Sequence, residues 1–99
     1  MSFRSADLSC LAYANGFSHW HYRTNDSAAD AQSPGYFDAA SRMLRVGDII
    51  LVNVRPCLDG QQSLLVVIEG NDHGRVIAAT MAASPPIRRA EPAVEREAA

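Results

Sequence analysis

Two histidines spaced two positions apart are the residues of this sequence best placed to bind a metal ion. His19 and His21 lie in the segment F-S-H-W-H-Y-R-T, and alternate residues of a β-strand project from one face. Imidazole is a common metal ligand, but a closed site needs a third and a fourth ligand. The sequence supplies only His73, Cys10 and Cys57, at unknown distances. We therefore expect half-exposed histidines and no bound metal.

The two cysteines do not form a recognisable zinc or redox motif. Cys10 and Cys57 lack the C-x-x-C spacing of zinc ribbons and thioredoxin-like proteins. They could form a disulfide, although a cytoplasmic setting disfavours one, and no local signature marks a Cys–His nucleophile. The sequence also contains no glycine-rich phosphate loop. The sequence therefore shows no catalytic constellation, and we expect no cofactor.

Length and charge narrow the class of protein further. The 99 residues fit a single domain with a small core. The formal net charge is -2 and the 9 basic residues are all arginine, so no basic stripe is available to hold nucleic acid. No apolar run is long enough to span a membrane, and the N-terminus has no apolar signal segment. We expect a soluble protein that assembles in a cytoplasm, with no membrane partner.

The segment V-G-D-I-I-L-V-N-V-R predicts the central strand of the fold. Branched apolar residues favour a strand, and the Gly-Asp pair before them favours a turn. Because successive side chains alternate, one face would carry Ile50, Val52 and Val54, and the other Ile49, Leu51 and Asn53. Both faces are largely apolar, whereas a strand with one wet face alternates apolar and polar residues. A second layer from this chain or another subunit must therefore cover the second face.

The N-terminal part of the chain predicts a β-hairpin. Residues 8–14 and 17–24 alternate as strands do, and the Asn-Gly pair between them is a strong type I′ turn signal. A polar, alanine-rich stretch follows, in which one helical turn would be capped by Asp26 or Ser27.

The rest of the chain predicts one helix and more strands. Residues 36–44 have helical spacing over two to three turns, while 64–69 and 75–82 follow the central strand as its partners. The fold class is therefore mainly β: an N-terminal hairpin, one short helix and a C-terminal three-strand antiparallel meander, as a small sandwich or barrel. Residues 1–83 would form the domain and 84–99 an extended or disordered tail.

Aromatic side chains should anchor the packing of the helix on the hairpin. Trp20 and Tyr22 share one face of the second strand, and Tyr36 and Phe37 open the helix, so we expect one aromatic cluster. The residues expected in the core or in an interface are Trp20, Tyr22, Tyr36, Phe37, Ile49, Leu51, Leu65 and Val67.

Four spaced motifs carry a joint resemblance to known proteins. They are Asn15-Gly16-Phe17, Trp20-His21-Tyr22-Arg23-Thr24, Gly35-Tyr36-Phe37 and Leu44-Arg45-Val46-Gly47-Asp48-Ile49-Ile50. Together they resemble small structural proteins of tailed bacteriophages and prophages, of the head-fibre or head-decoration type. The resemblance spans about residues 8–82 and does not include the tail.

The resemblance implies a non-enzymatic part of a virion, formed in the bacterial cytoplasm as a homotrimer attached to a capsid or forming a fibre or spike. The two apolar faces of the central strands independently favour a homo-oligomer. The alternative is a small β-barrel that binds a peptide or single-stranded nucleic acid on the face of Trp20 and Tyr22, since a W-H-Y-R strand could stack bases. The slightly acidic charge makes nucleic acid the less favoured partner.

Overall fold

The computed structural model describes residues 3–56 and 58–88 and confirms a mainly β protein. Its strands form one mixed sheet in the order β1-β2-β3-β4-β5. Their bounds are β1 Leu8–Ala14, β2 Phe17–Thr24, β3 Ile49–Val54, β4 Gln62–Asp72 and β5 Arg75–Ala83. A four-residue helix, α1, spans Ala28–Ala31, and 3-10 turns span Ser5–Asp7 and Asp38–Ala40. None of the helices within these residues could span a membrane.

The N-terminal hairpin forms as the sequence predicts. Asn15 and Gly16 both have positive φ, 56° and 84°, as a type I′ turn requires. Ala14 and Phe17 are paired directly across this two-residue turn. One irregularity in the pairing of β1 with β2 lies between Cys10 and Ala12.

Hairpin and meander join through a parallel pair that the sequence analysis did not anticipate. β2 lies parallel to β3, with Tyr22 beside Val52, while β3, β4 and β5 form the predicted antiparallel meander. Parallel neighbours need a long crossover, and residues 25–48 provide it. The second layer of the expected sandwich or barrel is therefore this crossover, packed on one face of a single sheet.

The two-to-three-turn helix predicted at 36–44 is wrong. The crossover is a series of tight turns there, because most of its hydrogen bonds span three residues, as from Ala40 N to Phe37 O (2.9 Å). Contacts with the sheet fix this shape: Val76 N donates to Asp38 Oδ1 (2.8 Å), and Asn71 Nδ2 donates to Ser41 O (2.7 Å). So short a segment gains more from such contacts than from a helix of its own.

The single helical turn predicted earlier in the crossover is confirmed. It is α1, and the side chain of Ser27 caps it by accepting a hydrogen bond from Asp30 N (3.1 Å). Ala31 at its end is buried against the sheet.

The core lies between the crossover and one side of the sheet, which we call the covered face. Alternate strand residues supply the sheet side of this core, and turns of the crossover supply the other side. The buried apolar residues are Leu8, Tyr22, Ala31, Tyr36, Phe37, Ala40, Leu44, Ile50, Val52, Val54, Leu64, Val66, Ile68 and Val76. We call the opposite side of the sheet the open face.

The chain keeps contact with the sheet past the end of β5. Ser84 N donates to Ser63 O (2.9 Å), and Ile87 forms an isolated antiparallel bridge with Gln61. The first residues of the expected tail are therefore extended and bonded to the start of β4. Residues 89–99, the rest of that tail, lie outside the described residues.

Candidate interaction surface

The structure divides the eight predicted core or interface residues between the two faces of the sheet. The four aromatic residues lie on the covered side, and the four aliphatic residues meet on the open face. We call those four, which are Ile49, Leu51, Leu65 and Val67, the open patch. Ile49 pairs with Val67 and Leu51 pairs with Leu65 across the β3–β4 ladder. Leu51 is 38% exposed and the other three are half-buried.

Small residues and histidines extend the open patch sideways. On β5, Ala79 pairs with Val67 and Ala82 with Leu65. The apolar surface therefore continues towards that edge of the sheet, where it is formed by small side chains. On β2, His19 pairs with Ile49 and His21 with Leu51. The open face thus has an apolar centre with imidazoles along one side.

A short polar chain borders the patch at the far end of β3. Asn53 Nδ2 donates to His21 Nε2 (2.9 Å), and Ser63 Oγ donates to Asn53 Oδ1 (2.6 Å). Both polar atoms of the Asn53 side chain are satisfied within the chain. The amide therefore marks the boundary of the apolar surface.

Among the described residues that were considered for a metal site, no three come together. His21 Nε2 is engaged by Asn53, and His73 lies in the turn between β4 and β5, where its Nδ1 is 3.0 Å from Asp72 Oδ1. Within residues 3–56 and 58–88, no group of three or more His, Cys, Asp or Glu side chains could hold a metal ion. Cys10 is exposed, and Cys57, its potential disulfide partner, lies outside the described residues.

The aromatic cluster on the covered face contains one ring that the sequence analysis missed. Phe3 stacks on Tyr22 with ring centroids 5.0 Å apart, and Tyr36 and Phe37 meet edge to face at 5.1 Å. Trp20 packs against this core without entering the network of rings. Phe3 gave no signal because it precedes the first predicted strand.

The hydroxyl groups of two tyrosines inside the cluster belong to one chain of hydrogen bonds. Tyr36 OH donates to Asp26 Oδ2 (2.7 Å) and lies 3.1 Å from Tyr22 OH, which accepts from Arg4 N (3.0 Å). Burial raises the pKa of the Tyr36 phenol well above its ordinary value, and its bonds to Tyr22 and Asp26 add to the rise, while Thr24 opposes it. The phenol therefore stays neutral and serves as a donor.

Asp48 joins the two halves of the sheet. Its fully buried carboxylate accepts from Ser18 N (3.0 Å), Trp20 Nε1 (3.1 Å) and Arg45 N (3.0 Å). Two of these donors belong to β2 and the third to the end of the crossover. The carboxylate therefore fixes the point at which the chain re-enters the sheet beside β2.

Gly47 lets this re-entry pass close to the hairpin. Its φ is +97°, and a Cβ atom at this position would lie 2.5 Å from Phe17 Cε1. The sequence predicts only a turn at Gly47-Asp48. A fully buried carboxylate needs partners brought by tertiary contact, and the turn pattern carries no signal for them.

A groove of about 840 Å³ runs between the crossover and β5 on the covered face. Val66, Val76 and Ala78 contribute apolar surface, and Arg75 stands at its side with an exposed side chain. We call this cavity the β5 groove. No known protein family, curated protein or solved structure matches the chain.

Proposed function

We propose that the protein is a non-enzymatic structural component of a phage or phage-like particle, acting as a homotrimeric capsid decoration, head-fibre or spike protein. The particle assignment rests on the resemblance carried by the sequence motifs between Asn15 and Ile50. The role as an assembly subunit has its own support in the open patch.

The open patch is the single observation that carries the assembly role. Alternate residues of β3 and β4 build the core, yet the four residues of the open patch, which lie between them, are also apolar and face outwards. Leu51 at the centre is 38% exposed, although leucine is a residue that folding normally buries. A contiguous apolar surface rimmed by polar groups is typical of an interface between proteins.

The interior polar groups also support a structural role. The carboxylates of Asp26 and Asp48 are buried, and each is occupied by donors of the fold itself. Within the described residues, no buried side-chain nitrogen or oxygen lacks a hydrogen-bond partner. These groups are used to hold the crossover on the sheet, which is what a rigid building block needs.

The alternative binding module has less support from the structure. It requires the rings of Trp20 and Tyr22 to be open to a peptide or to bases, but Tyr22 is fully buried and Trp20 donates to buried Asp48. Stacking a base on Tyr22 would require removing the crossover. We therefore favour assembly through the open face.

Light scattering on the purified chain tests the assembly role. The expected result is a trimer at micromolar concentration, with loss of the trimer in Leu51→Glu, because a carboxylate would be buried in the apolar interface. Met43→Glu is the matched control: Met43 is 39% exposed, close to the 38% of Leu51, but it lies on the crossover. A monomeric parent protein, or trimers in both variants, would contradict assembly through the open patch.

Association with particles tests the biological role. Particles from cells that carry the gene can be banded on a density gradient, and mass spectrometry can then locate the chain. We expect the chain in the capsid band and the Leu51→Glu variant to be depleted from it. A chain confined to the soluble fraction of cells that produce particles would refute the virion assignment.

A further inference from the structure

The edge strand β5 has the features of a strand that accepts a partner. From Val76 to Ala83 it contains neither charge nor proline, the usual devices that keep an edge unpaired. Val76 N donates to Asp38 Oδ1 of the crossover, so this N–H points away from β4 and is already bonded within the chain. Because strand backbones alternate, Ala78 and Thr80 also turn their N–H and C=O groups to the open edge.

The β5 groove lies beside this edge. It runs along the covered-face side of Val76, Ala78 and Thr80, with the crossover as its other wall. A strand added to β5 would place every second side chain over the groove. The groove could therefore receive a large apolar or aromatic side chain from the added strand.

The opposite edge of the same sheet supplies such a strand. β1, L-S-C-L-A-Y-A, also contains no charge and no proline, and among the described strands it pairs with β2 alone. Tyr13 is 62% exposed and pairs with Ser18, which places it on the covered-face side of the sheet, the side of the β5 groove. Leu11, at the pairing irregularity, is equally exposed.

The strand directions allow the two edges to meet. β1 runs opposite to β2, β2 and β3 run together, and two antiparallel steps lead to β5, so β1 and β5 run in opposite directions. Rotation about an axis along the strands preserves these directions. We propose that β5 of one copy pairs antiparallel with β1 of the next copy, with Tyr13 of that copy seated in the β5 groove.

This contact joins two different surfaces of one chain, so it is heterologous and either closes into a ring or grows into a filament. The inference rests on the proposed trimer and specifies how it closes. A threefold ring would carry the sheet from copy to copy. The open patches would then face the common axis and bury one another, which also covers the second apolar face of β3 and β4.

The decisive variant is Ala78→Pro. Proline removes an N–H that points away from β4, so the monomer's own ladder is unchanged and the fold should persist. We expect the trimer to be lost. Ala78→Lys is a second variant that keeps the N–H but fills the groove entrance with a charge, and Ala78→Ser is the control that should remain trimeric. Far-UV circular dichroism verifies that each variant is folded.

Mixing experiments test whether the two edges are partners. Tyr13→Glu should abolish the trimer by itself, as Ala78→Lys does. The Ala78→Lys chain keeps an intact β1 edge, and the Tyr13→Glu chain keeps an intact β5 groove. A mixture of the two should therefore form a 1:1 complex that light scattering can detect. If both folded variants stay monomeric and the mixture forms no complex, the two edges do not meet and the proposal is overturned.

The outcomes separate this inference from the proposed function. A trimer that survives Ala78→Pro, Ala78→Lys and Tyr13→Glu but dissociates with Leu51→Glu would refute the edge contact and leave assembly through the open patch intact. A trimer that survives Leu51→Glu but dissociates with the edge variants would do the reverse. A monomeric parent protein would refute both.

Discussion

The two faces of the sheet are built from the same strands with similar residues, but they differ sharply in burial. On β3, Ile50 and Val52 are fully buried, while Leu51 between them is 38% exposed. The crossover packs on the first side of the sheet and leaves the second side open. Apolar content therefore identifies both surfaces, and only the path of the chain decides which becomes the core of the monomer.

The polar groups of the two faces also differ. On the covered face the carboxylates of Asp26 and Asp48 are buried; Tyr36 of the crossover donates to Asp26, and Ser18 of β2 donates to Asp48. On the open face, Asn53 binds its strand neighbours at the border of the patch. Polar groups thus lock the covered face in place but only delimit the open one. We expect mutations on the two faces to affect different properties, folding and assembly.

The largest loss of stability should come from Tyr22→Ala. Tyr22 is fully buried and stacks on Phe3, and truncating a large core aromatic costs about 3–5 kcal/mol. Urea unfolding followed by circular dichroism measures this loss. Tyr22→Phe keeps the ring and removes only the hydroxyl, so its loss should be clearly smaller; equal losses would show that the hydroxyl chain, not ring packing, holds the crossover.

Asp48→Ala should rank second. It leaves three N–H donors without their acceptor, which we expect to cost about 3 kcal/mol in the free energy of unfolding. Asp48→Asn, which keeps one acceptor oxygen, should lose less. A double-mutant cycle with Trp20→Phe should give a coupling of about 1 kcal/mol between Asp48 and the indole N–H. Additive effects would mean that this bond contributes nothing.

The local signals in the sequence were strong enough to place the strands and the hairpin. The first two strands match their predicted bounds, and the turn has the positive φ values that Asn-Gly favours. The alternation of β3 also separated Ile50, Val52 and Val54 from Ile49 and Leu51 correctly. Each of these features depends on residues close together in the chain.

Features that depend on distant contacts were not predictable. Three features join segments that are remote in sequence: the parallel pairing of β2 with β3, the hydrogen bond from β2 to Asp48, and the stacking of Phe3 on Tyr22. The 36–44 segment has helical spacing, and its Phe37, Ala40 and Leu44 are buried as that spacing implies. Its backbone nevertheless follows contacts with Asn71 and Val76, which the pattern cannot reveal.

Substitutions at two glycines with positive φ separate backbone strain from a steric collision with a neighbouring side chain. Gly16 has φ +84° and no atom within 4 Å of an added Cβ, so Gly16→Val should cost about 1–2 kcal/mol from backbone strain alone. Gly47→Val adds the collision with Phe17 to the same kind of strain and should cost more. Thermal melting of both variants measures the difference. If Gly47→Val also carries Phe17→Ala, the excess should shrink; an unchanged excess would exclude the collision as its cause.

The smallest effect on the folded monomer should come from Leu51→Glu. Leu51 is partly exposed on the open face, so its replacement should change the monomer's unfolding free energy by no more than about 0.5 kcal/mol. Only folded chains form the trimer, however, so trimer formation stabilises the folded state. The melting temperature of the parent protein should therefore rise with protein concentration. The melting temperature of the variant should not change with protein concentration. On dilution, the melting temperature of the parent protein should fall to that of the variant. A variant that melts well below the parent at every concentration would show that Leu51 stabilises the monomer itself. That result would contradict the claim that residues of the open face affect assembly rather than folding.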